Sequence, residues 1–366
     1  MNQQLDRSAL ANLLQAEDVE TLSFPELVRL FREEITDFLP DGVYQVDPRN
    51  GDRIVYHSSR VLRPHDNAPS PSEMPERECV ICRGDTTGIV DVADLSMGFT
   101  FINKNRFPVL YPFEEERQIH GLHFLQWTSS QHGRDWHNLP VSDCVVVMER
   151  LAALERMLLT GAGAGFVVMI KNYGRLVGGS LAHGHQHIAL SSVMPRHFRD
   201  NRRFEEEHRE TFSAYLLREN PAELIVEDYG PATLLTPYFM RRPYDMILLL
   251  KDAGRRYLHQ LTGAEIAAVA AGWHDATRAM HAIMPQIGRE IAYNVIVNNG
   301  PGAGLYFEFL PYTQEIGGVE HLGLFVCQER PGRAAARLRE FLNPYGNFDP
   351  GDSRWTASHV RDGAGG

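Results

Sequence analysis

Three histidines alternate in the stretch GGSLAHGHQHIAL, residues 178–190: His183, His185 and His187. A period of two puts their imidazoles on one face of an extended segment, and Gly184 lets backbone approach closely between the first two. Such a face can meet a reacting phosphate, ligate a metal, or simply form a hydrogen-bonded polar strand surface. The nucleophilic use needs one neutral ring whose second nitrogen is held by a hydrogen bond, with cations around the phosphorus. Arg60 and Arg63 in SSRVLRPH could supply those cations, although two solvated surface arginines would look the same. The metal use needs further donors. Cys79 and Cys82 in CVIC have the spacing of half a tetrahedral zinc site, which a histidine could help complete, and the same pair also fits redox chemistry.

The elements that must hold these residues are visible in the hydrophobic pattern. PELVRLFREEITDF spaces Leu27, Leu30, Phe31 and Ile35 along one helical face. GVYQVDPRNGDRIVYHSS alternates around Asn50-Gly51, a turn pair suited to a β-hairpin. A loop rich in Pro and Ser, PHDNAPSPSEMPE, leads to the cysteines, and GFTFINKNRFPVLYP supplies further strand. SDCVVVMERLAALERMLL reads as a helix, followed by GFVVMIKN as the buried strand that feeds the histidines. In the second half LLTPYFMRRPYDMILLL is strand-like, and Thr262 with Glu265 forms a capping-box pattern opening the helix GAEIAAVAAGWHDATRAMHAI. AYNVIVNN, GLYFEFLPY and HLGLFVCQE are three more expected strands, and GRAAARLREFL closes with a helix. Strand, strand, helix, strand, strand thus occurs twice, which predicts an α+β fold built from a duplicated unit.

Composition limits the partners. A chain of 366 residues with 43% hydrophobic residues can bury a large core, and its net charge of −11 argues against a general nucleic-acid surface. Any anionic ligand must therefore meet a local cluster of cations. The first residues lack a basic region followed by an apolar run, and no segment approaches membrane-spanning length, so a cytoplasmic protein is expected. Four cysteines in a reducing compartment suggest metal or redox chemistry before disulfides.

NYGRLVGGSLAHGHQH resembles the active-site segment of the galactose-1-phosphate uridylyltransferase family, a branch of the histidine-triad superfamily, through Asn172, Gly174, Gly178, Ser180, His183 and His185. Other pieces follow in the family's order: the hairpin ending at Arg60 and Arg63, CVIC, NRFPVL, HFLQWTSSQH and TPYFMRRPYDMILLLKD. The resemblance covers nearly the whole chain. It implies two histidine-triad-like halves, each an antiparallel sheet with packed helices: residues 1–195 with the zinc site and nucleophile, and 196–366 for substrate binding. It implies a structural zinc on Cys79, Cys82, His132 and His183, and His185 as the nucleophile that attacks the α-phosphorus of a nucleoside diphosphate sugar. Arg60, Arg63, Asn172, Gly178 and Ser180 would bind phosphate oxygens, with Asn105 and Phe107 near the base and ribose. A sugar 1-phosphate would be the second substrate, and a homodimer the expected assembly.

The chain departs from the family pattern in two places, one in each half. The transferases usually carry glutamine where this chain has His187, a residue found there in the hydrolytic triad proteins. A histidine can donate to a phosphate oxygen, but it can also move a proton to a leaving group or water. In the second half, Tyr306 and Glu308 replace a His-x-His pair and Asn299 a further histidine, so a second metal is not expected; Glu308 could be a ligand-binding acid or a plain strand residue. The acidic run Glu205 to Glu210 reads as a solvated helix face. The expected function is nucleotidyl transfer between sugar phosphates; a hydrolase or phosphorylase using the same histidine, or a non-catalytic nucleotide-binding protein, are the alternatives.

Overall fold

The computed structural model describes residues 4–46, 53–57, 59 and 79–342. Arg60, Arg63 and the Asn50-Gly51 turn lie outside the described residues. The hairpin's two arms do pair, as β1 (Tyr44–Val46) with β2 (Arg53–Val55), Tyr44 opposite Val55.

The remaining strands form one antiparallel sheet of ten. Its members are β3 (Ile89–Leu95), β4 (Gly98–Lys104), β5 (Gly121–Trp127), β6 (Phe166–Tyr173), β7 (His185–Ser191), β8 (Ile225–Asp228), β9 (Ala232–Leu235), β10 (Met246–Leu250), β11 (Tyr293–Asn298) and β12 (Tyr306–Pro311). The order across the sheet is β3-β4-β5-β7-β6-β11-β12-β10-β9-β8. Each half therefore runs three strands, a long helix and two strands, and in each half the last strand inserts between the third and the fourth. The repeat expected from the sequence is present, with one strand more per unit, and the two units meet edge to edge where β6 pairs with β11.

The long helices are α3 (Val141–Ala162) and α6 (Gly263–Gln286); α1 (Arg7–Leu10), α2 (Phe24–Glu34), α4 (Arg196–His208), α5 (Phe212–Glu219), α7 (Gly318–His321) and α8 (Pro331–Leu342) complete the set. Local chemistry explains their ends. Ser23 and Glu26 cap each other's backbone at the start of α2, as Thr262 and Glu265 do at α6, satisfying donors that a helix leaves open. The apolar stripe of α2 buries Leu27, Leu30 and Phe31. Both α3 and α6 lie on one face of the sheet, where Val167, Met169, Ile188, Leu190, Val295, Val297, Phe307 and Phe309 join the main core. Alternation sends the intervening residues of β7, β6, β11 and β12 to the opposite face, including His185, His187, Asn172, Asn298 and Glu308.

Three expectations need correction. HLGLFVCQE is not a strand: Leu322, Leu324 and Val326 are largely exposed in an irregular segment. It follows β12, which lies inside the sheet, so no open edge is beside it. LLTPYFMRRPYDMILLL divides into β9 and β10, with Pro237 and Pro243, which lack a ladder donor, in the turn between them. Finally, β7 starts at His185, so His183 lies in the loop leading into it. No helix among the described residues is long and apolar enough to cross a membrane.

Candidate functional site

The loop from Gly174 to Gly184 joins β6 to β7 and carries the histidine motif. Gly174 has φ +88°, and a Cβ there would come within 2.6 Å of the Ile291 carbonyl, so only glycine fits this turn against the second half. A cavity of about 340 Å³ opens at this end of the sheet, lined by Asn172, Gly174, Arg175, Leu181, His183 and His185 among others. Gly178 and Ser180 belong to the same loop, but Leu181, Ala182 and Gly184 form the wall there.

Hydrogen bonds assign the His185 tautomer. Its Nδ1 lies 2.8 Å from the His183 carbonyl oxygen, which can only accept, so Nδ1 carries the proton and Nε2 keeps its lone pair. Burial pulls the pKa of the ring down to about 4, against the opposing effect of that hydrogen bond, so it is neutral near pH 7. Trp127 packs against it with ring centres 4.9 Å apart. Under the site, Lys171 donates to the His185 carbonyl at 3.0 Å and meets Asp135 Oδ2 at 2.7 Å, both side chains being almost wholly buried. Burial pushes the Asp135 carboxyl up, but the Lys171 charge and hydrogen bond, with the Trp136 amide and the His137 charge, together outweigh it and hold the pKa below the usual range. The Asp135 carboxylate fills the space in which a Cβ on Gly184 would sit.

Asn172 is oriented from the other half of the molecule. Asn294 on β11 donates to Asn172 Oδ1 at 2.7 Å and to the Val177 carbonyl at 3.2 Å. The amide hydrogens of Asn172 are thereby left as its donors toward the cavity. Arg175 faces Glu290 at 3.7 Å across the same cavity, both half exposed.

Beside this cavity Cys79, Cys82, His132 and His183 converge, their ligand atoms all within 4.8 Å of one another. His183 Nε2 donates to the Ser129 carbonyl at 2.7 Å, which leaves Nδ1 as a donor atom for a metal. That Nδ1 lies 3.7 Å from Cys79 Sγ and 3.6 Å from Cys82 Sγ, and His132 Nδ1 lies 3.6 Å from Cys82 Sγ. A tetrahedral zinc with ordinary Zn–S and Zn–N bonds would have S···N edges of about 3.6 Å, so this set fits zinc. Burial raises the Cys79 thiol, but hydrogen bonds from His132 and His183 outweigh it and hold the pKa at about 5.

The other candidate residues lie farther round. Asn105 is buried against the His123 ring, and its Oδ1 accepts from the Phe107 amide at 2.9 Å; Phe107 packs on Phe38. His187 faces His123, 3.0 Å away. In the second half Glu308 accepts from Asn298 at 2.9 Å and pairs with His197 at 3.4 Å. The acidic run is mostly solvated, with Glu206 and Glu207 paired to Arg202 and Arg203 one turn away.

The sequence reading had not singled out Asn294, Lys171, Asp135, His123 or Arg175. Lysine inside the apolar strand FVVMIKN and histidine inside GLHFLQW were the available signals.

No protein-family model and no curated protein sequence matches the chain. Among solved structures, a uridylyltransferase superposes with a TM-score of 0.67 at 20% identity, covering 84% of this chain and 99% of its own. An ADP-glucose phosphorylase from Arabidopsis thaliana with bound ADP-glucose gives 0.62 at 14% identity, covering 82% and 98%. A GalT-like protein, also from Arabidopsis thaliana, gives 0.58 at 16% identity, covering 66% and 83%. The chain has the fold of the uridylyltransferase-type proteins over most of its length.

Proposed function

We propose that the chain is a nucleotidyltransferase that moves a nucleoside monophosphate between phosphorylated compounds through a covalent nucleotidyl-His185 intermediate. The carrying observation is the orientation of His185: its Nδ1–H is engaged by the His183 carbonyl, and the neutral Nε2 lone pair remains on a ring that lines the cavity. That lone pair attacks the α-phosphorus of a nucleoside diphosphate sugar. The N–P bond forms as the P–O bond to the β-phosphate breaks, and a sugar 1-phosphate leaves. A phosphate oxygen of the acceptor, a sugar 1-phosphate or orthophosphate, then attacks the same phosphorus. The N–P bond breaks and the neutral imidazole is recovered.

Asn172, Gly178 and Ser180 would bind the phosphoryl oxygens as charge develops on them, with Arg60 and Arg63 adding positive charge and Asn105 and Phe107 toward the nucleoside. Cys79, Cys82, His132 and His183 would hold a structural zinc, which pins the residue whose carbonyl orients the nucleophile. Residues 1–195 would then carry the reacting groups and 196–366 complete the site, as Asn294 does for Asn172. The exposed run Leu322, Leu324, Phe325 and Val326 supports a homodimer, which light scattering would test.

Intact-mass spectrometry after exposure to a panel of nucleotide sugars tests the reading. The wild-type protein should gain one nucleotidyl group from the matching sugar, and His185→Gly should gain none while staying folded. Binding without any adduct across the panel, or an adduct that persists in His185→Gly, sinks the proposal.

A further inference from the structure

His187 and His123 stand diagonally on neighbouring strands: His187 is opposite Leu125 on β5, and His123 is opposite Ala189 on β7. Their rings meet through His123 Nε2 and His187 Nδ1 at 3.0 Å. The other end of His123 decides who donates. The Val109 backbone N–H donates to His123 Nδ1 at 3.1 Å, and an amide N–H cannot accept; the Asn105 amide nitrogen, 3.3 Å from Nδ1 and 3.2 Å from Nε2, is likewise a donor only and is served by the same Nδ1 lone pair. His123 Nδ1 is therefore the acceptor, its proton is on Nε2, and Nε2–H donates to His187 Nδ1. The proton of neutral His187 must then be on its Nε2.

We infer that His123 is a positioning residue that locks His187 as a hydrogen-bond donor with no lone pair to spare, and so biases the enzyme toward phosphate acceptors over water. The inference rests on the proposed nucleotidyl-transfer reading. A second proton on His187 would have to enter at Nδ1, where the His123 N–H already points. Moving the His123 proton aside would set it against the Val109 N–H. Among the described residues, the titratable rings facing His187 include His123 from β5 and His185 from its own strand, while Ile170 is its neighbour on β6.

The consequence is chemical. Locked this way, His187 offers a phosphoryl oxygen the same kind of neutral N–H that a glutamine side chain would. It cannot take a proton from water, because both nitrogens are already committed as one acceptor and one donor. A phosphate monoester or orthophosphate dianion attacks without losing a proton first, whereas water requires a base. Hydrolysis of the nucleotidyl-imidazole is therefore held back at this position while transfer proceeds.

The first test does not depend on activity. Long-range proton–nitrogen NMR on protein labelled at histidine nitrogen, with His187→Gln to identify the signals, should show His187 protonated at Nε2 and bare at Nδ1 across about pH 6 to 8. In His123→Leu the ring should populate both tautomers and take up a second proton more readily than in the wild type, and in His123→Gln, whose amide can still donate, the lock should return. A wild-type His187 protonated at Nδ1, or one that titrates alike in all three proteins, overturns the inference. The second test follows the fate of the nucleotidyl adduct. His123→Leu should raise its hydrolysis relative to discharge by orthophosphate by at least about tenfold, His123→Gln should restore the wild-type ratio, and in a His187→Gln background His123→Leu should change the ratio by less than about twofold. Equal effects in both backgrounds would mean that His123 acts only through packing. If no adduct forms in the wild type, the transfer reading fails and the NMR result still decides the tautomer.

Discussion

The buried pair under His185 offers a quantitative check on how the site is held. Lys171 and Asp135 are almost wholly out of water, and the ammonium reaches Oδ2 at 2.7 Å while also donating to the His185 carbonyl. Removing one partner strands the other charge, which costs about 3–5 kcal/mol in a buried pair. Lys171→Met strands the carboxylate; Asp135→Asn strands the ammonium while keeping the oxygen that accepts from the Trp136 amide. For a chain of this length about 4 kcal/mol corresponds to a fall of about 5 °C in thermal midpoint. The double variant leaves no charge behind, so its loss should be about 2 kcal/mol or more below the sum of the single losses. Differential scanning at one scan rate on the three variants and the wild type completes the cycle. Lys171→Met should in addition slow adduct formation, since the His185 carbonyl loses its donor. Losses that simply add, or a Lys171→Met variant as stable as the wild type, would refute the idea that this pair carries the loop before β7.

Three further outcomes are expected. Cys82→Ser should drop metal content from about one zinc per chain to near none and lower the thermal midpoint by more than about 5 °C; unchanged zinc in elemental analysis would remove the site. Gly184→Ala pushes a methyl into the Asp135 carboxylate, whereas Gly178→Ala meets nothing and suffers only its φ of +87°. Chemical denaturation should thus show a loss of about 2–3 kcal/mol for the first and about 1–2 kcal/mol for the second, and the reverse order would contradict the contact. The His197–Glu308 pair raises the histidine pKa and, against burial, which pushes the acid up, helps with Asn298 and Arg241 to hold the Glu308 pKa below the usual range. Its stabilisation is present below the ordinary histidine value and fades as pH rises through the raised one; on the acid side it fades as pH falls through the lowered Glu308 value. Because His197 is half exposed, the gap in stability between wild type and His197→Gln should be no more than about 1 kcal/mol, largest near about pH 5.5 and gone in alkali. A gap that widens with pH would reverse the assignment.

What could be read from sequence was what is local. The stripe of α2, the Thr262–Glu265 box, the helix before β6 and the histidine motif all announce themselves within a few residues, because caps and periodicity are short-range effects. HLGLFVCQE failed for the opposite reason: apolar residues were present, but whether a strand forms depends on an open sheet edge beside the segment, and it follows β12, which lies between β11 and β10 inside the sheet. The ligand set at Cys79, Cys82, His132 and His183 was accessible through the family resemblance, and the converging atoms bear out its geometry. Asp135, Asn294 and His123 carry no such signature. Each acts through one hydrogen bond or charge brought from a distant strand or turn, and only the tertiary register gives them meaning.

That register also sets the two halves of the duplicated fold apart at the candidate site. His187, Ile170, Ile296 and Glu308 lie in one row across the four central strands, each paired with the next. Because both units have the same topology, and Ile170 and Ile296 face each other across the joint, Glu308 occupies in the second unit the place His187 has in the first. By the same register Tyr306 stands where the first unit has His185 and Asn298 where it has Asn172, and Glu308 is engaged by Asn298 and His197, so the equivalent ground is closed by its own hydrogen bonds. The second unit is nevertheless not idle. Through Asn294 it turns the Asn172 amide toward the cavity and ties down the loop at Val177, so a change on β11 should reach the surroundings of His185 without touching any residue of the histidine motif. On the proposed reading, duplication in this protein separates two tasks: one copy bears the reacting groups, and the other supplies the rigid edge against which they are aimed.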